Sequence, residues 1–259
     1  MKDNPLVSII TVVYNGQVTI EKCIESVKKQ SYGNIEHIII DGGSTDGTLD
    51  IIKKHGDEIS YWTSEPDKGI YDAMNKGLKI AQGDFIAILN ADDYYLPNAI
   101  ELSMQEIEET NSDYSFAEVQ YVNSKAKIRP IFPLEQNKIY QEMLYPHVSA
   151  VISKKIYDEV GYFDTNFKIA GDHDMALRIH LNNYKYCYVS EVIAELEEGG
   201  VSSSNESNKE SLTVVIKNGK DIVRSYTTYY KQLIKINLVK FLPQKIVNLI
   251  LKVKGSRFK

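Results

Sequence analysis

The chain has 259 residues, of which 43% are hydrophobic and 25% charged, and these proportions are those of a globular protein. Its two cysteines are too few for a disulfide framework or a zinc cage, and no apolar run approaches the roughly 18 residues of a membrane-spanning helix. The formal net charge is −5, but residues 224–259 hold nine basic and no acidic side chains, which leaves −14 for the rest. An acidic body without a recognition motif argues against nucleic-acid binding.

The first hundred residues alternate between strand-like and helix-like patterns. The apolar residues near 20–27 follow the spacing of an amphipathic helix, whereas the isoleucines of 35–40 are typical of a strand covered on both faces. The pattern predicts strands at 6–13, 35–40, 59–62 and 85–89, and helices at 20–27, 48–55 (capped by Gly56) and 70–81. This alternation predicts an α/β fold with a mainly parallel, Rossmann-like sheet flanked by helices, which binds ligands beyond the carboxyl ends of its strands.

The pattern becomes mixed after Pro97. Helices are predicted from there to about 109 and near 154–160 and 174–182, and strands near 114–121, 148–152 and 186–192. Residues 199–211 are rich in glycine, serine and asparagine and predict a mobile loop, after which helical patterns dominate. We therefore expect one domain over 1–203, with a nucleotide-binding half of about 1–95 and an acceptor half of about 96–203. A helical extension over 204–259 would follow.

The strongest chemical feature is the segment Asn90-Ala91-Asp92-Asp93, directly after the predicted strand 85–89. Two adjacent carboxylates at this edge of a sheet suit a hard divalent cation such as Mg²⁺ or Mn²⁺, which prefers oxygen ligands and often keeps a diphosphate in its shell. A solvated acidic turn before the next helix explains the same residues equally well when the segment is taken alone.

Polar groups also follow the other three strands of this half. They are Thr11, Tyr14 and Asn15 after the first strand, Asp41 and its glycine-rich loop after the second, and Asp67-Lys68-Gly69 after the third. Thr45 or Asp46 could simply cap the next helix. A nucleotide site, however, explains all four strand ends together, because they meet at one edge of the sheet.

The sequence resembles family 2 glycosyltransferases, whose fold is GT-A, over roughly residues 6–203. The resemblance is carried by six motifs in the order of that family: SIITVVYN (8–15), DGGSTDGT (41–48), EPDKGIYDAMNKG (65–77), LNADD (89–93), GDHDMALR (171–178) and GGVSS (199–203). It implies an inverting transferase that moves a hexosyl or N-acetylhexosaminyl group from a UDP-sugar to a glycan. The pathway it suggests is bacterial O-antigen or capsule biosynthesis.

The resemblance also implies residue roles. The donor pocket would be formed by residues at the strand ends: Thr11, Tyr14, Asn15, Asp41, Asp67, Lys68, Gly69 and Asp92. Within that set Asp41 matches the carboxylate that hydrogen-bonds the uracil. Asp93 matches the metal ligand, with Asp92 near the metal or the ribose, and Asn90 stands where the broader D-x-D motif has an acid. His147 occupies a place near the diphosphate or the acceptor, although a structural histidine explains it at least as well.

Asp172 matches the acid that usually follows a glutamate in the general-base motif of the family, but here the preceding residue is Gly171. This departure leaves Asp172 and Asp174 as candidate bases. Asp174 lies where the helix 174–182 is predicted to begin and could cap it, so we favour Asp172. In the implied reaction the base accepts the proton of the acceptor hydroxyl, while the metal offsets the charge of the leaving diphosphate.

The C-terminal tail interleaves lysines with apolar residues, a composition typical of helices that lie on anionic membranes. Together with the absence of a signal peptide, it predicts a cytoplasmic enzyme on the inner face of the membrane, acting on a lipid-linked acceptor. Packing of the tail on its own domain, or on a second subunit of a homo-oligomer, is the alternative.

Other enzyme classes lack their motifs. The turn after the first strand reads Tyr14-Asn-Gly-Gln17, without the glycine pattern of a dehydrogenase or P-loop enzyme and without the basic loop of a sugar-phosphate nucleotidyltransferase. A degenerate module that binds a nucleotide sugar without transferring it remains open because of Gly171.

Overall fold

The computed structural model describes residues 4–124, 126–130, 132, 134, 144–197 and 205–219. The GGVSS motif at 199–203 and the basic tail from 224 onward lie outside the described residues. The predictions made for those two segments therefore stay predictions.

The described chain alternates strands and helices up to β4 and has a mixed order after it. The strands are β1 (Val7–Val13), β2 (Ile35–Asp41), β3 (Tyr61–Ser64), β4 (Phe85–Asn90), β5 (Tyr94–Tyr95), β6 (Tyr114–Tyr121), β7 (Lys127–Ile128), β8 (Val151–Ser153) and β9 (Tyr186–Leu196). The helices are α1 (Ile20–Lys28), α2 (Thr48–Lys54), α3 (Ile70–Ile80), α4 (Ala99–Thr110), α5 (Lys154–Val160), α6 (Gly171–Leu181) and α7 (Asn205–Lys217), with 3-10 turns at Gly56–Glu58 and His147–Ser149.

All nine strands form one sheet in the order β3-β2-β1-β4-β8-β6-β9-β5, with β7 paired to β6. The first four strands are parallel, as predicted, and β8 is antiparallel to both β4 and β6. In this register Val13 lies beside Asp41, Asp41 beside Ser64, and Val12 beside Asn90. The polar residues that end the four parallel strands are therefore side by side.

Both faces of the sheet are covered, which explains the continuous apolar strands of the sequence. Ile10 and Val12 of β1 face a core cluster that includes Met74 of α3 and Leu177 of α6. Ile9, on the other face, packs in a second cluster with residues of α1 and α4. All seven residues of β1 are buried. The position of α3 against this sheet brings the Asp67-Lys68-Gly69 turn to the strand ends.

Three predicted boundaries are wrong. Helix α6 begins at Gly171, not at Asp174, so both candidate bases lie in its first turn and Asp174 does not cap it. Helix α2 ends in a C-cap at His55, and Gly56 begins a 3-10 turn instead. Residues 205–211, predicted as loop, form the start of α7, which packs against α6. Within the described residues, no helix combines the length and apolar character needed to cross a bilayer.

Candidate active site at the carboxyl ends of the strands

Asp41 organises the loop that follows β2. Its carboxylate is fully buried, and Oδ2 accepts hydrogen bonds from the backbone N–H of Gly43 (3.1 Å) and of Ser44 (3.0 Å) and from the hydroxyl of Ser64 (2.5 Å). Its Oδ1 accepts a hydrogen bond from the hydroxyl of Ser44. Both oxygens are used inside the protein, and the predicted contact of Asp41 with uracil stays a prediction. In this structure Asp41 holds its own loop in place.

Thr11 is also buried near the end of its strand. Its side chain is fully buried, and Oγ1 is 2.9 Å from Nε2 of His37 on the neighbouring strand. Side chains alternate along a strand, so Thr11 points, with Ile9, towards α1 rather than to the strand end. The side chain of Thr11 is therefore turned away from the strand end in this structure, and its role in the nucleoside pocket stays a prediction. Burial lowers the pKa of His37 to about 3, so this pair is uncharged.

Asn15 joins the turn after β1 to the loop after β2. It has a φ of +52°, a left-handed conformation that asparagine tolerates better than most residues. Its backbone N–H donates to the hydroxyl of Ser44 (2.7 Å), and its side-chain oxygen accepts from the backbone N–H of Thr45 (2.9 Å). The neighbouring Tyr14 is 65% exposed at the rim of the same loop. The turn therefore presents an aromatic ring to the solvent.

Gly42 is a site residue that the sequence reasoning passed over in favour of Asp41. A Cβ atom at Gly42 would lie 2.4 Å from Oδ2 of Asp67 and 3.5 Å from Cδ2 of Tyr14. The bare backbone of Gly42 thus lets an aromatic ring and a carboxylate approach each other. Asp67 is held by the backbone N–H of Gly69, which donates to its Oδ1 (2.8 Å), and Lys68 is exposed beside them. A ring, an open backbone and a carboxylate are suitable contacts for a nucleobase.

The acidic segment after β4 contains a second cluster. Asp93 is 5% exposed, and burial, followed by the charge of Asp92, raises its pKa to about 7. The side-chain amide of Asn90 donates to Oδ2 of Asp93 (3.4 Å). The buried Oδ1 of Asn90 has no hydrogen-bond partner among the described residues. Asp92 is exposed.

Two oxygen-bearing side chains of this segment bear on the predicted cation. In the part of the chain that the structure describes, no three His, Cys, Asp or Glu side chains converge to form a complete metal cage. Asp93 and the unpartnered oxygen of Asn90 nevertheless offer two oxygen atoms near the strand ends. Mg²⁺ and Mn²⁺ suit such incomplete sites, because water and substrate phosphates complete the shell. The residues present therefore fit the cation that the sequence predicted.

Asp172 lies at the start of α6 with its side chain 23% exposed. Its Oδ1 accepts hydrogen bonds from the backbone N–H of His173 (2.8 Å) and the hydroxyl of Tyr71 (3.3 Å), and its Oδ2 is 3.4 Å from Nδ1 of His147. Burial raises the pKa of Asp172, but the hydrogen bond and charge of His147 outweigh it, so the pKa lies below its usual value. Asp172 is thus a partly open, ionised carboxylate.

His147 contacts Asp172 and is influenced by the charges of both acidic centres. Burial lowers its pKa, but the hydrogen bond to Asp172 and the charges of Asp172, Asp93 and Asp92 raise it above its usual value overall. Its Nε2 atom is buried and lacks a hydrogen-bond partner within the described residues. The structure therefore places His147 beside Asp172 and within the electrostatic influence of Asp93 and Asp92.

Asp174 is enclosed and paired. It is fully buried, and its oxygens meet Nε of Arg178 (2.8 Å), Nζ of Lys217 (3.1 Å) and the side-chain amide of Asn218 (3.1 Å). An acceptor hydroxyl has no access to a carboxylate in this position. The structure therefore gives Asp174 a structural role and favours Asp172, and the identity of the base stays a prediction.

Tyr71 of α3 explains the departure at Gly171. A Cβ atom at Gly171 would lie 2.8 Å from two carbons of the Tyr71 ring. The same ring carries the hydroxyl that donates to Ile169 O (2.7 Å) and approaches Asp172. No local pattern in the sequence indicates this contact, because α3 and α6 are about a hundred residues apart.

We expect Gly171→Ala to destabilise the protein by about 1–3 kcal/mol, the usual range for inserting a methyl group into packed space. The clash with Tyr71 outweighs the gain of about 1 kcal/mol that alanine normally brings to a helix. Urea denaturation measures the loss, and Tyr71→Ala supplies the control background. An equal loss in that background would show that the ring is not the cause.

Known proteins share this fold. Residues 8–163 match the family described as Glycosyl transferase family 2. A Mycobacterium tuberculosis (strain CDC 1551 / Oshkosh) protein named uncharacterized glycosyltransferase MT1564 is 30% identical over 212 residues, which is 80% of each chain. The structure of S. aureus TarS 1–349 in complex with UDP-GlcNAc superposes with a TM-score of 0.70 at 20% identity, covering 88% of this chain and 71% of that one. This chain spans 43% of the longer TarS structure.

A more distant structure has the same architecture. The mannosyltransferase PcManGT of Pyrobaculum calidifontis, in complex with GDP-Man and Mn²⁺, superposes with a TM-score of 0.66 at 15% identity, covering all of this chain and 82% of that one. The family match covers more than half of the chain, and the M. tuberculosis relative aligns over four fifths of it. This chain is therefore a family 2 glycosyltransferase with the GT-A fold.

Proposed function

We propose that this enzyme transfers a hexosyl or N-acetylhexosaminyl group from a UDP-sugar to a glycan acceptor with inversion at the anomeric carbon. The observation that carries the proposal is the partly open carboxylate of Asp172, oriented by His147 and Tyr71, together with an acidic segment at Asp92 and Asp93 whose charges also act on His147. A single displacement requires a base for the acceptor hydroxyl and a site that stabilises the leaving group.

The nucleoside would lie on Tyr14, Gly42 and Asp67. With the carboxylate of Asp41 occupied by its own loop, Asp67 is the acid closest to this open backbone, so we assign the base contact to Asp67. The complex of TarS with UDP-GlcNAc supports a uridine donor, whereas PcManGT holds GDP-Man on the same fold. We favour uridine because a single carboxylate can accept the N–H of the small uracil ring.

The diphosphate would lie near Asp93. Asp93 and Asn90 would hold Mn²⁺ or Mg²⁺, and the Mn²⁺ complex of PcManGT supports this assignment. The cation, when bound, offsets the negative charge that develops on the leaving phosphate. Asp92 is exposed beside Asp93 and adds negative charge that favours a cation.

Asp172 would accept the proton of the acceptor hydroxyl. As that oxygen bonds to the anomeric carbon, the bond to the β-phosphate oxygen breaks and UDP leaves with the electron pair. His147 and Tyr71 hold the two oxygens of Asp172, so the carboxylate is oriented before the acceptor arrives. Its lowered pKa keeps Asp172 ionised at neutral pH.

The test is nucleoside diphosphate release across a panel of nucleotide sugars, with Mn²⁺, with Mg²⁺ and with EDTA. Metal-dependent release from one UDP-sugar would support the proposal and identify the donor. Binding of the donor without release, even with lipid-linked acceptors present, would indicate a binding module. The observation that favoured that module, Gly171, is accounted for by the ring of Tyr71.

Gly42→Ala is expected to weaken UDP binding about tenfold, or about 1.4 kcal/mol, because the new methyl group displaces the carboxylate of Asp67. Thermal stability should change little, since the side chain of Asp67 is only half-buried and can move. Isothermal titration with UDP and Mn²⁺ measures the effect. Gly33→Ala is the matched control because nothing lies within 4 Å of its added carbon. Equal affinities for the two variants would remove Gly42 from the pocket.

The basic tail would attach the enzyme to an anionic membrane that carries the acceptor. We expect the full chain to sediment with vesicles containing anionic lipid at low salt and to dissociate as salt rises. Neutral vesicles are the control. Failure to bind anionic vesicles, together with a dimer in sedimentation velocity, would instead support packing of the tail on a second subunit.

A further inference from the structure

Glu210 of α7 holds the segment that leads into the base-bearing helix. Its carboxylate accepts three successive backbone N–H groups: Lys168 (3.0 Å to Oε1), Ile169 (2.8 Å to Oε2) and Ala170 (2.9 Å to Oε2). Ala170 is the N-cap residue of α6 and provides no side-chain cap of its own. The carboxylate therefore satisfies N–H groups at the positive end of α6, where charge-assisted hydrogen bonds and the helix dipole both favour an anion.

The same segment is held from the opposite side by α3. The hydroxyl of Tyr71 donates to the carbonyl oxygen of Ile169 (2.7 Å), while the N–H of Ile169 donates to Glu210. The backbone at Ile169 is thus fixed at both polar groups. Asp172 follows three residues later, so the position of its carboxylate depends on this backbone.

Three residues on one face of α7 contact α6 and the segments around it. Val214, one turn after Glu210, is fully buried in the core cluster that contains residues of α6. Lys217, almost two turns after Glu210, pairs with Asp164 (2.8 Å) and Asp174 (3.1 Å). The spacing of these three residues is that of a single helix face. Helix α7 is therefore anchored at both ends of this face, and Glu210 is not an isolated surface acid.

We infer that Glu210 is a positioning residue for the base Asp172, acting through the backbone of residues 168–170. This inference rests on the proposed function, because it assumes that Asp172 is the base. Glu210 does not touch the substrate. Displacements of about 1 Å in a catalytic group can lower a rate on the order of 100-fold, so a lost anchor should appear in kcat.

The experiment compares Glu210→Ala with two controls. Glu206→Gln removes a charge from an exposed residue of the same helix, and Val214→Ala loosens α7 while leaving the carboxylate of Glu210 in place. We expect Glu210→Ala to lower kcat about 10- to 100-fold with the donor KM within twofold of wild type. Glu210→Gln, which keeps one accepting oxygen, should recover part of the rate. Val214→Ala should lower thermal stability but not kcat.

A double variant separates positioning from general damage. In the Asp172→Asn background, Glu210→Ala should lower the remaining rate by less than twofold, because its effect passes through Asp172. A full additional 10-fold loss there, or a loss of kcat in Val214→Ala equal to that in Glu210→Ala, would overturn the inference.

Amide hydrogen exchange provides a readout that does not depend on activity. The N–H groups of Lys168, Ile169 and Ala170 should exchange faster in Glu210→Ala than in Glu206→Gln or wild type. Unchanged exchange at these three amides would overturn the inference even if the enzyme is an active transferase. Faster exchange in a protein that releases no UDP from any donor would reject the proposed function, and with it the positioning role, and leave Glu210 as a structural cap.

Discussion

Asp93→Asn is expected to lower metal-dependent transfer by about 10²–10⁴-fold and to stabilise the metal-free protein at alkaline pH. The rate falls because Asp93 would be the only carboxylate ligand in the cluster with Asn90, and the charge stabilisation that a metal supplies amounts to several kcal/mol. The stability rises because Asp93 is buried beside Asp92, so ionising it opposes folding. One substitution should therefore separate function from stability.

The sign of the effect on stability follows from the pKa shift of Asp93. The pKa of Asp93 is about 7 in the folded protein and about 4 in an unfolded chain, so the folded state binds the proton more tightly. The stability that comes from this proton is fully present below about pH 4 and is lost as the pH rises through 7. At pH 8 asparagine should be more stable than aspartate by a few kcal/mol, and near pH 4 the difference should vanish.

Urea unfolding in EDTA at both pH values measures this difference. Asp57→Asn is the matched control, since it removes the same charge from an exposed acid and should show no such pH dependence. At limiting Mn²⁺, wild-type activity should rise with pH up to about 7, because a proton on Asp93 competes with the cation. Activity within tenfold of wild type that is still abolished by EDTA would remove Asp93 from the metal site.

The first half of the fold could be predicted because both faces of its sheet are buried. The long apolar runs of β1, β2 and β4 and the helical spacing of α1 leave one arrangement of strands and helices. The start of α6 was missed because its first turn, Gly171-Asp172-His173, has poor intrinsic helix propensity. The segment that leads into that turn is held by Glu210, some forty residues later, and no local pattern reveals such a contact.

Helix α7 was missed for a related reason. Its first half is polar, and the buried contact that fixes it, Val214, lies in the second half. A polar segment can be helical because it packs on another helix, and its local sequence pattern alone then predicts a loop. Helix α7 and the segment 168–170 stabilise each other, so neither can be predicted from its own local sequence.

The location of the site could also be predicted, but several residue roles could not. Parallel strand ends meet at one edge, which groups Tyr14, Asp67 and Asp93 whatever their partners are. Thr11 and Asp41 also lie near strand ends. Thr11 is buried because its side chain lies on the covered face of the sheet. Asp41 is buried because its carboxylate accepts hydrogen bonds from its own loop. The contact of Tyr71 with Asp172 joins distant helices and required the structure.

Asp172→Asn should lower kcat by about 10²–10⁴-fold, the range for loss of a general base, while UDP binding stays within twofold of wild type. The amide can still accept hydrogen bonds from Tyr71 and from the backbone of His173, so the fold should be unaffected. Transfer kinetics with a saturating acceptor measure the rate, because hydrolysis of the donor by water can hide the role of a base.

Asp174→Asn, only two residues away, should have the opposite profile. Its carboxylate is fully buried against Arg178 and Lys217, and removing one partner of a buried ion pair typically destabilises a protein by about 3–5 kcal/mol. The loss should fall near the lower value, because the Lys217 side chain is 41% exposed and can regain water. The protein that remains folded should keep a nearly normal kcat.

The two variants together decide which acid is the base. A stable but slow Asp172→Asn protein beside an unstable but active Asp174→Asn protein is the pattern that the geometry requires. Rates must be divided by the folded fraction from urea unfolding under assay conditions, since an unstable variant otherwise looks like a slow one. If the corrected rate falls 100-fold in Asp174→Asn and not in Asp172→Asn, α6 must turn Asp174 outward in the acceptor complex. The contacts with Arg178 and Lys217 would then have to break before catalysis.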